Sequence, residues 1–156
     1  MTHLLILLAL SAGGIDTRQS APKFFAKTMD GEKFSNDSLK GKVVLIQFWT
    51  TWCPMCRHDQ DAVESITEEF SKKGVVVLAV DVGESRRKVA DYLRRSPRGC
   101  KIVLTEDTNL AAQFGAREFP HYVVLDENGK VAGEQKGAGG EQSLRNLLRR
   151  AGVSPE

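Results

Sequence analysis

Apolar positions along the chain fall into two kinds of block. Val43 to Trp49, VVLIQFW, and Val75 to Val82, VVVLAVDV, are almost continuous apolar runs rich in β-branched side chains. Runs of this length and composition predict strands covered on both faces of a sheet. A shorter run of the same kind lies in CKIVLTED, residues 100–107, and another opens HYVVLDENGKVAGEQ, where Asp126 to Gly129 predicts a hairpin turn. Between these runs the apolar spacing becomes helical. Ala62, Val63, Ile66 and Phe70 share one face, and Gly74 after Lys72-Lys73 marks the end of that helix. In SRRKVADYLRRS, Ser85 is the expected N-cap, and Val89, Tyr92 and Leu93 form the inner stripe. Thr108 to Gly115 predicts a short helix with Leu110, Ala111 and Phe114 inward. Leu144, Leu147, Leu148 and Ala151 make the stripe of a final helix. Ahead of all these, KFFAKTMDGEKFS reads as a hairpin about Asp30-Gly31. The order is a hairpin, then β-α-β-α-β-α-β-β-α. It predicts an α/β domain whose central sheet is covered by helices on both faces.

The chain has 156 residues, enough for one domain and one good core. Residues 22–153 are expected to form it. Residues 15–21 are small and polar, as in a linker. Before them, Leu4 to Leu10 is a compact apolar run followed by small residues. It is too short to span a bilayer but matches the apolar core of a signal peptide, with residues 1–14 as the segment removed. The absence of Lys or Arg before the run departs from that pattern, and a buried N-terminal strand is the competing reading. The expectation is export to a periplasmic or other extracytoplasmic compartment; without a signal the protein would be cytoplasmic. Net charge is only +2 and the basic residues are scattered, which argues against nucleic-acid binding. Three cysteines do not make a disulfide-dense scaffold.

Two of those cysteines carry the chemistry. Cys53 and Cys56 enclose Pro54-Met55, directly after a buried strand and at the start of a helix. Free N–H groups and a partial positive charge at a helix N-terminus stabilise a thiolate, making Cys53 a nucleophile near neutral pH. Cys56, one turn on, is placed to attack a mixed disulfide at Cys53. A zinc site needs four ligands in paired motifs, and Arg57 after Cys56 breaks the haem-attachment pattern. A staple across two residues would remove little chain entropy. Trp52 offers an apolar rim. Asp59 falls on the Cys56 face of the helix, where a carboxylate could exchange a proton with the Cys56 thiol; a solvated first-turn Asp is the competing reading. Pro120 stands just before a strand that should be central, where proline cannot donate to the ladder. A cis Phe119–Pro120 bond, or a plain strand-entry proline, would account for it. Cys100 reads as a small buried hydrophobe.

VVLIQFWTTWCPMC, the later FGAREFPHYVVLDENGK and the entry APKFFAKTMDGEKFSNDSLKGK together resemble the thioredoxin superfamily, and within it the TlpA/ResA-like, AhpC/TSA-related thiol-disulfide oxidoreductases. The resemblance covers roughly residues 20–152. It implies a thioredoxin fold with a central mixed sheet, an N-terminal β-hairpin and an extra helix and strand between the CxxC half and a cis-proline. It implies Cys53 as nucleophile, Cys56 as resolving thiol, Pro120 as the cis-proline opposite them, and Trp52, Pro54, Phe119 and Pro120 as the substrate-binding surface. Asp59 falls where that branch carries an active-site Glu. Three positions depart from the pattern: Gln47 stands at a buried Asp or Asn position, Asp61 at a helix-kinking proline, and His121 at a common Thr.

The function expected is exchange of electrons with protein disulfides, as a reductase of exported proteins. The branch often serves cytochrome c maturation, so an apocytochrome is one expected client. No cofactor beyond the Cys53–Cys56 disulfide, no metal, no nucleic acid and no stable membrane span is expected. Partners would be client proteins and an upstream electron donor, and the protein would be a monomer. Two other readings compete. Thr50-x-x-Cys53 is like a peroxiredoxin pattern, but Ile46 stands where that pattern has proline. A copper chaperone would use Cys53, Cys56 and His121 or His58, since thiolates suit Cu(I). The two-residue gap between the cysteines argues against it.

Overall fold

A computed structural model of the protein describes residues 18–154. The expected signal segment, residues 1–14, lies outside them.

The strands are β1 (Phe25–Thr28), β2 (Lys33–Ser35), β3 (Val43–Trp49), β4 (Val75–Asp81), β5 (Lys101–Thr108), β6 (His121–Leu125) and β7 (Val131–Lys136). The helices are α1 (Pro54–Phe70), α2 (Arg86–Arg95), α3 (Leu110–Phe114) and α4 (Gly140–Arg150). All seven strands form one mixed sheet in the order β2-β1-β5-β4-β3-β6-β7. β3 lies near the middle, parallel to β4 and antiparallel to β6.

Strand alternation divides the core in two. Val43, Leu45 and Trp49 of β3 join Val63, Ile66 and Phe70 of α1, Val89 of α2 and Leu144, Leu147 and Leu148 of α4. Val44, Ile46 and Phe48 face the other way, toward Leu110 of α3, Phe24 and Leu39. Every residue of β3 is buried, as its apolar run requires. Gln47 is the polar exception and, by the same alternation, lies in the layer under α1 and α4.

Three elements differ from expectation. The polar segment before residue 22 docks from residue 18 on: Ser20 bridges Lys130, Val131 N–H donates to Gln19, and Arg18 pairs with Asp126. β5 runs on to Thr108, because β1 pairs with its far end at Thr108. α3 is correspondingly short, beginning at Leu110. Gly74 closes the 3₁₀ turn after α1 with φ of 78°, a conformation that glycine adopts without strain.

Candidate active site

The junction of β3 and α1 builds the centre of the site. Cys53 is the N-cap of α1 and Pro54 opens the helix, where its missing N–H costs nothing. Cys56 N–H donates to Cys53 Sγ at 3.1 Å, and the two sulfurs form a disulfide. Both cysteines are buried. Cys53 Sγ also lies 3.5 Å from the carbonyl oxygen of Phe119. The Phe119–Pro120 bond is cis, and the segment before β6 lies against the disulfide through that carbonyl. Trp52 is 59% exposed and meets Phe119 edge-on, with ring centroids 6.3 Å apart. Met55 is exposed beside it. The sulfurs therefore sit at the foot of an apolar rim.

The turn carrying Thr51 is held from two sides. Glu84 accepts from the Thr51 amide and hydroxyl, each at 2.6 Å. Arg57 donates to the Thr51 carbonyl at 3.1 Å. Lys88 pairs with Glu84 at 3.0 Å. Behind Glu84 lies Asp81, fully buried at the end of β4. Burial, then the neighbouring Glu84 carboxyl, push the Asp81 carboxyl up to about 8. Burial opposes the charged form of Glu84 too, but the Asp81 carboxyl beside it, the Thr51 donors and Lys88 outweigh it and hold Glu84 at about 2. The two carboxyls thus hold unequal shares of charge.

Asp59 is fully buried on the α1 face that also carries Cys56 and Val63. Its hydrogen bonds come from elsewhere in the fold. Tyr122 O–H donates to Oδ2 at 2.8 Å, Gly139 N–H to Oδ2 at 3.3 Å and Gly140 N–H to Oδ1 at 3.0 Å. His58 lies beside it, with Nδ1 3.5 Å from Oδ1. Burial, then the Asp59 charge, push the Tyr122 hydroxyl far above its usual range, so it stays a donor. Gln47 reaches Tyr122 Oη at 3.3 Å.

Cys53, Cys56, Trp52, Pro54, Phe119 and Pro120 are gathered at one end of the sheet. Glu84, Tyr122 and the Gly139 and Gly140 amides were not singled out in the sequence. The signal for Tyr122 was present: a tyrosine in an apolar strand buries its ring and must find its hydroxyl a partner. His121 is buried with Nε2 2.5 Å from Glu134 Oε1, turned away from the sulfurs by strand alternation. Among the described residues, no three His, Cys, Asp or Glu side chains gather into a set able to hold a metal. Cys100 is buried, 3.6 Å from Glu64 Oε1, and burial pushes its thiol up to about 11.

A family model described as Redoxin matches residues 17–148. The chain belongs to the Redoxin family. Among its relatives is the thioredoxin-like protein YneN of Bacillus subtilis, 33% identical over 119 residues, covering 76% of this chain and 70% of YneN. The thiol-disulfide oxidoreductase ResA of Bacillus thuringiensis is 25% identical over 132 residues, covering 85% of this chain and 76% of ResA. A solved thiol:disulfide interchange protein of the thioredoxin family from Chlorobium tepidum superposes with a TM-score of 0.74 at 25% identity, covering 86% of this chain and 96% of that one. This member of the Redoxin family has the thioredoxin fold and is a thiol-disulfide oxidoreductase.

Proposed function

We propose that the protein reduces disulfide bonds of exported client proteins, with Cys53 as the attacking thiol and Cys56 as the resolving one. The observation that carries this is Cys53 at the N-cap of α1, receiving the Cys56 amide and facing the Phe119 carbonyl under the Trp52 rim. A thiolate at that position is stabilised by the helix N-terminus. In the reduced protein, Cys53 attacks one sulfur of a client disulfide. A Cys53–client bond forms, the client's S–S bond breaks, and its second sulfur leaves as a thiolate and takes a proton. Cys56, giving its proton to Asp59, attacks Cys53 Sγ. The Cys53–Cys56 bond forms, the client's first sulfur leaves, and two electrons have passed to the client. An upstream dithiol donor then restores the reduced pair. The exposed apolar rim suits a polypeptide client better than a small molecule. A Cys-x-x-Cys segment of an apocytochrome is the client class to which the resemblance to the ResA branch leads. Export rests on the apolar run Leu4 to Leu10.

The test is reduction of insulin disulfides, with the Cys53–Cys56 potential measured against glutathione. Activity lost in Cys53→Ser and a potential near that of thioredoxin, about −270 mV, are expected. Retained activity in that variant sinks the assignment. A potential near about −120 mV, that of a strong oxidant, reverses the direction.

A further inference from the structure

We propose that Arg98 is a positioning residue for the active site: it sets the direction of a buried hydrogen-bond relay, Arg98–Gln47–Tyr122–Asp59, that ends on the carboxylate serving Cys56. The proposal rests on the proton-accepting role of Asp59 given above and extends it to a residue in the turn between α2 and β5.

The geometry is a continuous chain. Arg98 donates from Nη2 to Gln47 Oε1 at 2.9 Å and from Nε to Glu64 Oε1 at 3.2 Å. Its guanidinium lies 5.0 Å from the centre of the Trp49 ring, and its side chain is only 2% exposed. Gln47 Nε2 donates to Tyr122 Oη at 3.3 Å, and Tyr122 donates to Asp59 Oδ2 at 2.8 Å.

The chemistry of the first member fixes the rest. A guanidinium has five N–H donors and no acceptor. An amide can present either end to a neighbour, but only its oxygen can face Arg98. Gln47 must therefore turn its N–H₂ toward Tyr122. The Tyr122 oxygen then receives a proton from Gln47 and has its own to give, and Asp59 is where it goes. Three bonds run head to tail, all toward Asp59, and in a buried setting such bonds reinforce one another. With a neutral or accepting group at position 98, Gln47 could invert, and Tyr122 could then donate to Gln47 in place of Asp59.

An ion pair that only fastened the α2–β5 turn to α1 would need Arg98 and Glu64 alone. The contact with Gln47 is the part such a role leaves unexplained. It occupies the β3 position where the resemblance predicts a buried acid or Asn. The charged and titratable groups around Asp59 are His58 on its own helix, Tyr122 from β6, the Cys53–Cys56 pair at the head of α1, and Arg98 with Glu64 at the far end of the relay. The start of α4 contributes the Gly139 and Gly140 amides. Donated bonds favour a carboxylate in its charged form. Weakening them lets the proton stay on to higher pH.

The experiment measures insulin-reductase rate against pH for the parent, Arg98→Met, Gln47→Leu and Asp59→Asn, and for Arg98→Met combined with Asp59→Asn. Arg98→Met keeps a stem to pack on Trp49 and removes the donors. Gln47→Leu breaks the relay in its middle and leaves the Arg98–Glu64 pair intact, so it serves if Arg98→Met does not fold. Both should move the acid limb of the profile upward by about half a pH unit, of the order of one weakened hydrogen bond to a charged group. In the Asp59→Asn background Arg98→Met should move it no further. Lower thermal stability with an unmoved limb in both single variants overturns the relay and leaves Asp59's role standing. An equal shift with and without Asp59 also overturns it, because the effect would not pass through Asp59. A parent-like profile in Asp59→Asn overturns the underlying role of Asp59 itself.

Discussion

Glu84 holds Thr51 with both oxygens, one on the backbone amide and one on the hydroxyl, each at 2.6 Å. Through this pair of bonds the segment before α2 fixes the turn that delivers Trp52 and Cys53. The carboxylate is well shielded, so the bonds are made in a setting where charge-assisted donors are strong.

Glu84→Ala should therefore cost about 1.5–3 kcal/mol of stability, the range for lost hydrogen bonds to a charged group, and lower the reductase rate. Denaturant midpoints and insulin-reduction rates check both. A variant as stable and as fast as the parent would show the grip to be incidental.

Asp81 predicts an unusual pH dependence. Its carboxyl keeps its proton to about 8 in the fold but releases it near 3.8 when free of these neighbours. Between those values the folded chain binds the extra proton, so stability falls as pH rises from about 4 through about 8. Glu84 acts at the acid end: its contribution is present above about 4.5 and is lost as pH falls toward about 2. Asp81→Asn should flatten the decline and leave the variant more stable than the parent above about pH 8. Urea midpoints across that range decide it; parallel curves count against the buried pair.

Cys100 should be silent. Burial pushes its thiol up to about 11, so little thiolate exists near neutrality. In the oxidised protein at neutral pH, iodoacetamide should leave Cys100 unlabelled until denaturant is added. Rapid labelling of the native protein, read by mass spectrometry, would contradict its burial.

Trp52 separates binding from folding. It is exposed and touches Phe119 edge-on, so Trp52→Ala should change stability by no more than about 0.5 kcal/mol. The KM for a protein disulfide should rise about three- to tenfold, corresponding to about 0.7–1.4 kcal/mol of lost contact. The rate with oxidised glutathione should be unchanged. A parallel loss with both substrates would mean that Trp52 shapes the sulfurs rather than the docking rim.

The strands, the helices and the redox pair were legible in the sequence because their signals are local. VVLIQFW followed by a Pro-bearing CxxC places a reactive pair at a strand-to-helix junction without any knowledge of the rest. Asp59 was legible only as a position on a helix face. Its donors come from 63, 80 and 81 residues away, and no spacing rule reaches that far. Gln47 stood out as a departure from the family pattern, but its partner Arg98 lies 51 residues on, beyond the reach of any local spacing rule. The ends of β5 and α3 were misplaced for a similar reason. Pairing with β1 extends the strand, and pairing across a sheet is not written into either strand alone.

The sheet ends on one side in a three-residue strand, β2, and on the other in β7, which exposes Glu134 and Lys136. Short or charged outer strands are poor templates for a foreign chain. For a protein that handles clients with broken disulfides, and so with loosened structure, this is protective. Unfolded chains find little to pair with along its flanks and cannot readily recruit it into an aggregate. On the proposed function, the place to hold them is the apolar rim over Cys53, where contact ends in chemistry and release.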